Sequence, residues 1–354
     1  MLKRRWVELK AIFKDKPGEG LVMKEVPEPT NPGPDEVIVK IKRASICGTD
    51  VHIYRWDRWS ASRIKPPIII GHEFAGTVVE KGDLVESLEV GDYVAAESHI
   101  FCGHCYQCRT GRAHICQNLK ILGVDVNGAF AEYIKVPARI LWKVSPEIDP
   151  NYASVMEPFG NAVHTITVED LAGRTVLITG SGPIGAMAIQ VARAEGASLI
   201  IVSEVKPYRI ELAKRNGADV VINPLEEDLV KRVKELTNGE GVDAFFEMSG
   251  SPDAFRQGME ALTPGGIASV LGIFPGEGIS FDINNLLTLR GIKMYGIAGR
   301  KIFETWRIAD QLLKSKRVDL SKAVTHVLPF EEWHKGFELM LRGESGKVVL
   351  VVND

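Results

Sequence analysis

The sequence contains no apolar run that approaches the ~20 residues needed to cross a lipid bilayer. It also lacks an excess of positive charge, because 43 lysine and arginine residues are balanced by 46 acidic residues and the formal net charge is −3. This balance gives no reason to expect a nucleic acid or an anionic membrane surface as a partner. Residues 1–13 include basic side chains but no unbroken apolar segment, so a secretory signal is not expected.

Cysteine is scarce, and its five copies are unevenly placed. Four of them form one cluster, with two residues between each of the first three and seven before the last: Cys102, Cys105, Cys108 and Cys116. Four thiolates this close in sequence can form the tetrahedral ligand shell of a structural zinc site. An odd total of five cysteines, with four of them clustered, suits metal binding in a reducing compartment better than a disulfide framework, so we expect a cytoplasmic protein.

The chain has no internal repeat or low-complexity segment, and its 354 residues predict two domains at ~150 residues each. Up to about residue 144, short β runs alternate with turns rich in proline and glycine, which predicts a compact β-rich domain. After Tyr152, strand-like runs alternate with helix-length segments, which predicts a doubly wound parallel sheet of the α/β class. The strands expected in this sheet are 176–179, 199–203, 220–222, 244–246, 268–271 and 293–297.

A glycine-rich hexapeptide of the form G-x-G-x-x-G follows the first of these strands and begins a predicted helix. Its glycines would allow a tight turn and a close approach of the backbone to a pyrophosphate: Gly180, Gly182 and Gly185. Glu204 ends the next predicted strand, where its carboxylate would accept hydrogen bonds from ribose hydroxyls and repel a 2′-phosphate. This context predicts a dinucleotide site that prefers NAD to NADP. Arg209, on the following helix, either packs on the adenosine or is a solvated helix residue.

The remaining cysteine suggests a second metal site. Cys47 follows a predicted strand, and His72 lies after a short apolar run that ends in a turn. A catalytic zinc keeps three protein ligands and one open position, so a carboxylate is expected beside these two residues. Glu73 and Glu157 are both candidates, and the sequence leaves the choice open. Taken singly, each of these residues has an ordinary structural explanation, but their combination with a cysteine cluster and an NAD motif favours a catalytic zinc.

These motifs together resemble the zinc-containing medium-chain dehydrogenase/reductase superfamily. Residues 71–76, with Gly82 and Val85, match the signature G-H-E-x-x-G-x5-G-x2-V of that superfamily, and the likeness extends over essentially the whole chain. Within the superfamily, four stretches resemble the branch that oxidises the 3-hydroxyl group of L-threonine with NAD: 47–59, 98–105, 157–164 and 303–306.

The resemblance implies a GroES-like β-rich catalytic domain over residues 1–157, completed by 300–354, and a Rossmann domain over 158–299. It implies two zinc ions per chain, with Cys47, His72 and Glu73 around the catalytic ion, Glu157 as a nearby acid, and Thr49 and His52 as a proton relay. It implies a homotetramer that converts L-threonine into 2-amino-3-oxobutanoate. The residues expected to line the NAD site, besides the glycines, are Ile184, Glu204, Arg209, Leu271, Gly272, Ile273, Ile297 and Ala298.

Two other functions remain open from the sequence. The first is a zinc-dependent dehydrogenase of polyols or secondary alcohols, similar to sorbitol dehydrogenase, which shares the zinc and NAD motifs. The second is a non-catalytic zinc protein that uses the cysteine cluster to bind a partner or a nucleic acid. The net charge of −3 and the NAD motif argue against the second function.

Overall fold

The structure, a computed structural model, describes residues 8–276 and 278–354. Residues 1–7 of the expected first domain, which include part of the segment considered as a secretory signal, lie outside it. The described residues form two compact units. The first contains residues 8–157, 326–342 and 347–354, and the second contains residues 158–325 and 343–346.

The strands, in chain order, are β1 (Glu8–Lys14), β2 (Val22–Pro27), β3 (Glu36–Ile46), β4 (Ile68–Ile69), β5 (Glu73–Lys81), β6 (Tyr93–Ala96), β7 (His99–Ile100), β8 (Lys120–Ile121), β9 (Tyr133–Pro137), β10 (Leu141–Lys143), β11 (Thr175–Thr179), β12 (Leu199–Ser203), β13 (Val220–Ile222), β14 (Val242–Glu247), β15 (Leu262–Val270), β16 (Lys293–Gly296), β17 (Val324–Pro329) and β18 (Lys347–Val351).

The α-helices are α1 (Gly48–Arg55), α2 (Arg58–Arg63), α3 (Tyr106–Arg109), α4 (Pro150–Ala153), α5 (Met156–Ile166), α6 (Pro183–Ala194), α7 (Pro207–Arg215), α8 (Leu229–Leu236), α9 (Pro252–Ala261), α10 (Glu304–Lys314) and α11 (Trp333–Arg342). Short 3₁₀ helices cover Ala113–Ile115, Ala138–Ile140, Leu320–Lys322 and Phe330–Glu332, and a π-helical turn covers Asn284–Thr288.

The first unit is built on β-sheets, as the short apolar runs predicted. Within the described residues its main sheet has seven strands, in the order β10–β6–β5–β3–β18–β17, and β9 also pairs with β3. Alternate residues Val37, Val39 and Ile41 of β3 are fully buried in the core of this unit. The C-terminal strand β18 pairs antiparallel with β3, with Val348 opposite Ile46. The end of the chain therefore lies beside the strand that leads to Cys47.

The second unit is a six-stranded parallel sheet in the order β13–β12–β11–β14–β15–β16. Its central strands are apolar because helices cover both faces, and Val176, Leu177 and Ile178 are all fully buried. This is the doubly wound order of dinucleotide-binding folds. The predicted α/β class with a GroES-like β-rich part and a Rossmann sheet is confirmed.

The division of the C-terminal part differs from the sequence-based expectation that residues 300–354 would complete the first unit. Residues 300–325 belong to the second unit. Hydrogen bonds explain this: the Gln190 side-chain amide donates to the Asp319 carbonyl (3.0 Å), the Asp319 backbone N–H donates to the Gln190 side chain (2.8 Å), and the Asn216 amide donates to the Lys322 carbonyl (3.1 Å). This division differs from the expected one at residues 300–325 and at residues 343–346.

Across residues 8–276 and 278–354, the structure has no helix that combines the length and the apolar character needed to cross a membrane.

Candidate functional site

Cys47, His72 and Glu73 come together because β3 and β5 are neighbouring strands. Ser45 lies opposite Glu73 in this antiparallel pair, and Cys47 directly follows the end of β3. One ligand atom from each of the three side chains lies within 4.8 Å of the others. The strand register thus assembles a sulfur, a nitrogen and an oxygen donor, a set that suits a zinc ion with an open coordination position.

Two glycines of the zinc signature have structural reasons for their identity. Gly71 adopts φ +88°, and a Cβ atom there would lie 2.3 Å from the Phe130 ring. A Cβ atom at Gly76 would lie 2.2 Å from the Lys40 carbonyl oxygen of β3. The signature therefore encodes the turn that presents His72 and the close contact of the strands behind it.

Negative charge surrounds His72. The Asp50 carboxylate, which is fully buried, accepts a hydrogen bond from the Cys47 backbone N–H (2.8 Å) and has its other oxygen 3.7 Å from His72 Nδ1. Burial alone would lower the pKa of His72, but the charges of Asp50 and Cys47 outweigh it and raise that pKa to about 10. Burial raises the pKa of Asp50 to about 6, although the charge of His72 opposes the rise.

The pocket can therefore hold a cation. Three buried atoms have no hydrogen-bond partner: His72 Nδ1, Asp50 Oδ1 and Glu73 Oε1. A divalent ion would compensate this charge, so the residues present fit the expected zinc. Sequence reasoning did not single out Asp50. Carboxylates are common next to metal-binding histidines. The only feature of the sequence that could have indicated Asp50 is its position three residues after Cys47.

The Glu73 carboxylate has a different environment at each oxygen. Its Oε2 accepts hydrogen bonds from Ser45 Oγ and from Lys347 Nζ, and both members of this ion pair are buried. Lys347 also donates to the Ile46 carbonyl (2.9 Å). The lysine thus neutralises one oxygen of Glu73 and leaves Oε1 for a metal.

Glu157 lies outside this three-residue cluster but near it. Its Oε1 accepts a hydrogen bond from Ser98 Oγ (2.6 Å), and its charge contributes to the raised pKa of His72. The geometry therefore brings Glu73 within the ligand cluster and places Glu157 among the surrounding acids. Both remain candidates for contact with the metal.

The Lys347–Glu73 pair leads to a stability prediction. Lys347→Met removes the cation that is paired with Oε2 of the buried Glu73 carboxylate, and such a loss typically costs about 3–5 kcal/mol of unfolding free energy. We expect a loss of this size in urea unfolding of the zinc-loaded protein. The control is Lys335→Met, because Lys335 is half exposed and its pair with Glu332 (2.9 Å) lies at the surface, where the change should stay within about 1 kcal/mol. Equal unfolding free energies for the two variants would contradict the prediction.

Thr49 and His52 lie three residues apart on α1 and hence on one side of this helix. Thr49 Oγ1 is 3.7 Å from Cys47 Sγ, whereas His52 has a side chain that is 61% exposed. The His52 ring nitrogen Nδ1 lies 2.6 Å from Asp57 Oδ2. One hydroxyl is therefore beside the metal ligand and one imidazole is in contact with solvent, the order that the proposed relay requires.

The four clustered cysteines form a second donor group. Their sulfur atoms lie within 4.8 Å of one another, with Cys105 Sγ 3.5 Å from Cys108 Sγ and 3.7 Å from Cys116 Sγ. The backbone N–H groups of Cys102 and Asn118 both donate to Cys116 Sγ at 3.3 Å. Hydrogen bonds, chiefly from the His104 backbone, lower the pKa of Cys102, whereas burial raises the pKa of Cys108 in the absence of a metal charge. Because zinc binds the thiolate form, this four-sulfur group fits a closed structural site.

The glycine-rich segment lies between β11 and α6, as predicted. Gly180 adopts φ +84°, and a Cβ atom there would lie 2.9 Å from Ser249 Cα. A Cβ atom at Gly185 would lie 2.1 Å from the Gly180 carbonyl oxygen. Gly182 is the N-cap of α6, and Pro183 occupies the first helical position. The twelve-residue helix thus begins at the turn with free N–H groups, which fits a bound pyrophosphate.

Glu204 lies next to this turn because β12 is the parallel neighbour of β11. Its carboxylate accepts hydrogen bonds from the backbone N–H groups of Ser181 (2.9 Å), Val205 (2.8 Å) and Lys206 (2.9 Å). The guanidinium of Arg209 lies 3.8 Å from the place where a Cβ atom of Gly182 would be. The acid and the arginine therefore both lie beside the glycine-rich turn.

The other residues expected to contact the cofactor follow the carboxyl ends of parallel strands or begin α6. Leu271, Gly272 and Ile273 follow β15, and Ile297 and Ala298 follow β16; Ile184 is in the first turn of α6. All of them lie at the carboxyl-terminal ends of the strands, where such folds bind dinucleotides.

Glu247 is a residue that sequence reasoning missed. Its buried Oε1 accepts hydrogen bonds from the backbone N–H groups of Ser249 (2.8 Å) and Gly250 (2.9 Å). A Cβ atom at Gly272 would lie 2.1 Å from Glu247 Oε2. Glu247 thus contacts both the loop after β14 and the loop after β15. The only feature of the sequence that could have indicated it is an acidic residue at the end of a predicted strand.

Residues 33–146 match the family model "Alcohol dehydrogenase GroES-like domain", and residues 183–315 match "Zinc-binding dehydrogenase". The chain is 52% identical to the L-threonine 3-dehydrogenase of Pyrococcus horikoshii, with 97% of this chain and 98% of that protein covered. It is 47% identical to the L-threonine 3-dehydrogenase of Bacillus subtilis, with 97% and 99% covered.

Among solved structures, a protein described as a short chain alcohol dehydrogenase from Escherichia coli CFT073, complexed with NADH, is similar to this chain. Its TM-score is 0.87 at 30% identity, with 97% of this chain and 99% of that chain covered. The chain is therefore similar to known proteins over both units, and one of these solved proteins is complexed with NADH.

Proposed function

We propose that this chain, which belongs to the zinc-containing medium-chain dehydrogenase family and to its L-threonine 3-dehydrogenase branch, oxidises the 3-hydroxyl group of L-threonine and transfers a hydride to NAD. The products are 2-amino-3-oxobutanoate and NADH. The observation that carries the proposal is the donor group of Cys47, His72 and Glu73, in a chain that also has the glycine-rich turn and Glu204. The choice of L-threonine as the substrate rests on the names of relatives that are 47–52% identical over nearly their whole length.

Different residues of the chain have different roles in this reaction. Cys47 and His72, with Glu73 or Glu157, would hold the catalytic zinc, and Cys102, Cys105, Cys108 and Cys116 would hold the structural zinc. When bound, the catalytic zinc supplies the positive charge that makes an alcohol more acidic. Asp50, whose carboxylate lies 3.7 Å from His72 Nδ1, contributes negative charge that favours a cation in the pocket.

Proton removal is assigned to α1. Thr49, beside Cys47, accepts the proton of the substrate hydroxyl and passes its own proton to His52, which releases it to solvent. Loss of that proton allows the hydride to leave the carbon that bears the hydroxyl group. The hydride chemistry belongs to the nicotinamide, and the glycine-rich turn, Glu204 and Arg209 bind the cofactor that carries it.

A substrate panel tests the proposal. L-Threonine, sorbitol and ethanol are each supplied with NAD or NADP, before and after treatment of the protein with a chelator. We expect NADH formation with L-threonine and NAD, little product with the other combinations, and loss of activity when zinc is removed. A preference for sorbitol would support the polyol dehydrogenase instead. One tightly held zinc without any oxidoreductase activity would support the non-catalytic zinc protein.

The homotetramer and the cytoplasmic location are also proposals. The tetramer rests on the family resemblance, and β16, one of the two edge strands of the six-stranded sheet, has an unpaired side that another chain could contact. Light scattering should then give a mass about four times the 39.0 kDa of one chain. The location rests on the clustered cysteines, and fractionation of cells tests it.

A further inference from the structure

The Asp57 carboxylate joins two helices of the first unit. Its Oδ1 accepts a hydrogen bond from the Ser60 backbone N–H (2.9 Å), which makes Asp57 the N-cap of α2. Its Oδ2 lies 2.6 Å from His52 Nδ1, near the end of α1. Each oxygen therefore has its own partner, and the partner of the second is the imidazole assigned to proton release.

We propose that Asp57 is a positioning residue for the reaction, which accepts a hydrogen bond from His52 Nδ1–H and thereby keeps His52 Nε2 as the nitrogen that receives the proton. The inference rests on the proposed function. A neutral imidazole has one N–H and one lone pair, and its partner decides which nitrogen carries the hydrogen. A carboxylate only accepts, so Nδ1 donates and the lone pair is directed to Nε2.

The short contact behaves as a charge-assisted hydrogen bond. Although burial opposes it, the hydrogen bonds from Ser60 and His52 lower the pKa of the Asp57 carboxyl. Asp57 is therefore ionised at neutral pH and acts as an acceptor. During turnover the proton travels from the substrate hydroxyl through Thr49 to His52 Nε2 and then to water. Asp57 keeps its hydrogen bond throughout and takes no proton.

The position of Asp57 is held from both sides. At the far end of α2, Arg63 makes two hydrogen bonds to the Asp125 carboxylate (2.9 and 2.7 Å), which attach this short helix to the segment after β8. The Trp59 ring meets the His52 ring edge to face, with the centroids 6.4 Å apart and the planes at 70°. The imidazole, although 61% exposed, thus has a hydrogen-bond partner at Nδ1 and an aromatic neighbour that limits its rotation.

Two substitutions separate this role from helix capping. Asn and Ser are both good N-cap residues, so Asp57→Asn and Asp57→Ser preserve α2. Asn can donate or accept at His52 Nδ1 and no longer selects one tautomer, whereas Ser is too short to reach it. We expect both to lower the single-turnover rate of NADH formation from L-threonine by about 10-fold, while the KM for NAD is unchanged.

The matched control is Asp149→Asn. Asp149 is also an N-cap aspartate of the first unit, and it accepts a hydrogen bond from the Asn151 backbone N–H (2.8 Å) at the start of α4. It is exposed, so this variant should keep the wild-type rate. A loss in Asp149→Asn equal to the loss in Asp57→Asn would show that replacing any N-cap carboxylate of this unit lowers the rate, independently of His52, and would overturn the inference.

A double-mutant cycle with His52 is the deciding experiment. If Asp57 acts through His52, then Asp57→Asn should change the rate by less than about 2-fold in a His52→Gln background, because the residue it positions is gone. Added imidazole should raise the rate of His52→Gln and that of the double variant to the same level. An undiminished 10-fold loss in the His52→Gln background would overturn the inference.

The wild-type protein in the same assay distinguishes failure of the proposed function from failure of the positioning role of Asp57. If it oxidises L-threonine and the Asp57 variants are as fast as the wild type, only the positioning role of Asp57 fails. If it does not oxidise L-threonine, the proposed function fails, and the cycle is run with the alcohol that the substrate panel identifies. If no alcohol is oxidised, both fail.

Discussion

Cys47→Ser should lower kcat/KM for L-threonine oxidation by at least ~1000-fold, which corresponds to ~4 kcal/mol of transition-state stabilisation. A serine hydroxyl stays protonated at neutral pH and is a poor replacement for a thiolate, so one of the donors of the Cys47–His72–Glu73 group is lost. The NAD dissociation constant should stay nearly constant, because the glycine-rich turn and Glu204 belong to the second unit.

Metal analysis distinguishes this result from general damage to the fold. We expect the zinc content of Cys47→Ser to fall from two ions per chain to one, with the remaining ion held by the four-cysteine group. The unfolding midpoint should change much less than the rate, since Cys47 is only half buried and follows a strand that is paired on both sides. Wild-type turnover in a Cys47→Ser sample with a single zinc would refute the catalytic role of this site.

The parts of the site that the sequence predicted are those whose residues lie close together along the chain. The four clustered cysteines lie within fifteen residues, and the glycine-rich turn is a contiguous segment, so spacing alone indicated both. The central strands of the parallel sheet were predictable for a similar reason: β12 lies where the apolar run was, because strands buried on both faces are continuously apolar. Local pattern and local structure coincide in these elements.

Partners that meet only through strand register were beyond sequence reasoning. Lys347 is 274 residues from Glu73, and the antiparallel pairings of β3 with β5 and with β18 bring the two together. Likewise, Ser98 is 59 residues from Glu157. No periodicity marks such side chains, because the partner of each one lies in a distant part of the sequence. The same limit applies to residues 300–325, where three long-range hydrogen bonds of Asp319 and Lys322 attach the segment to the second unit.

Cys105→Ser should have the opposite profile to Cys47→Ser. The segment that carries the four cysteines contains little regular structure, only α3 (Tyr106–Arg109) and the 3₁₀ turn Ala113–Ile115. It joins the unit through β7 and β8, which pair His99 with Ile121. Few apolar side chains of this segment are buried, so zinc is expected to supply most of its stability, as in small zinc-dependent domains.

We therefore expect Cys105→Ser to lose the structural zinc and to lower the unfolding midpoint by at least about 5 °C, equivalent to ~2 kcal/mol. Brief proteolysis should cut it between Cys102 and Cys116, whereas the wild type should stay intact in this segment. The catalytic donors Cys47, His72 and Glu73 are untouched, so protein that remains folded at low temperature should keep most of its turnover rate. The two cysteine variants would then each contain one zinc, one stable and inactive, the other active and unstable. A Cys105→Ser protein with two zinc ions and the wild-type unfolding midpoint would show that the four sulfurs do not hold this segment together.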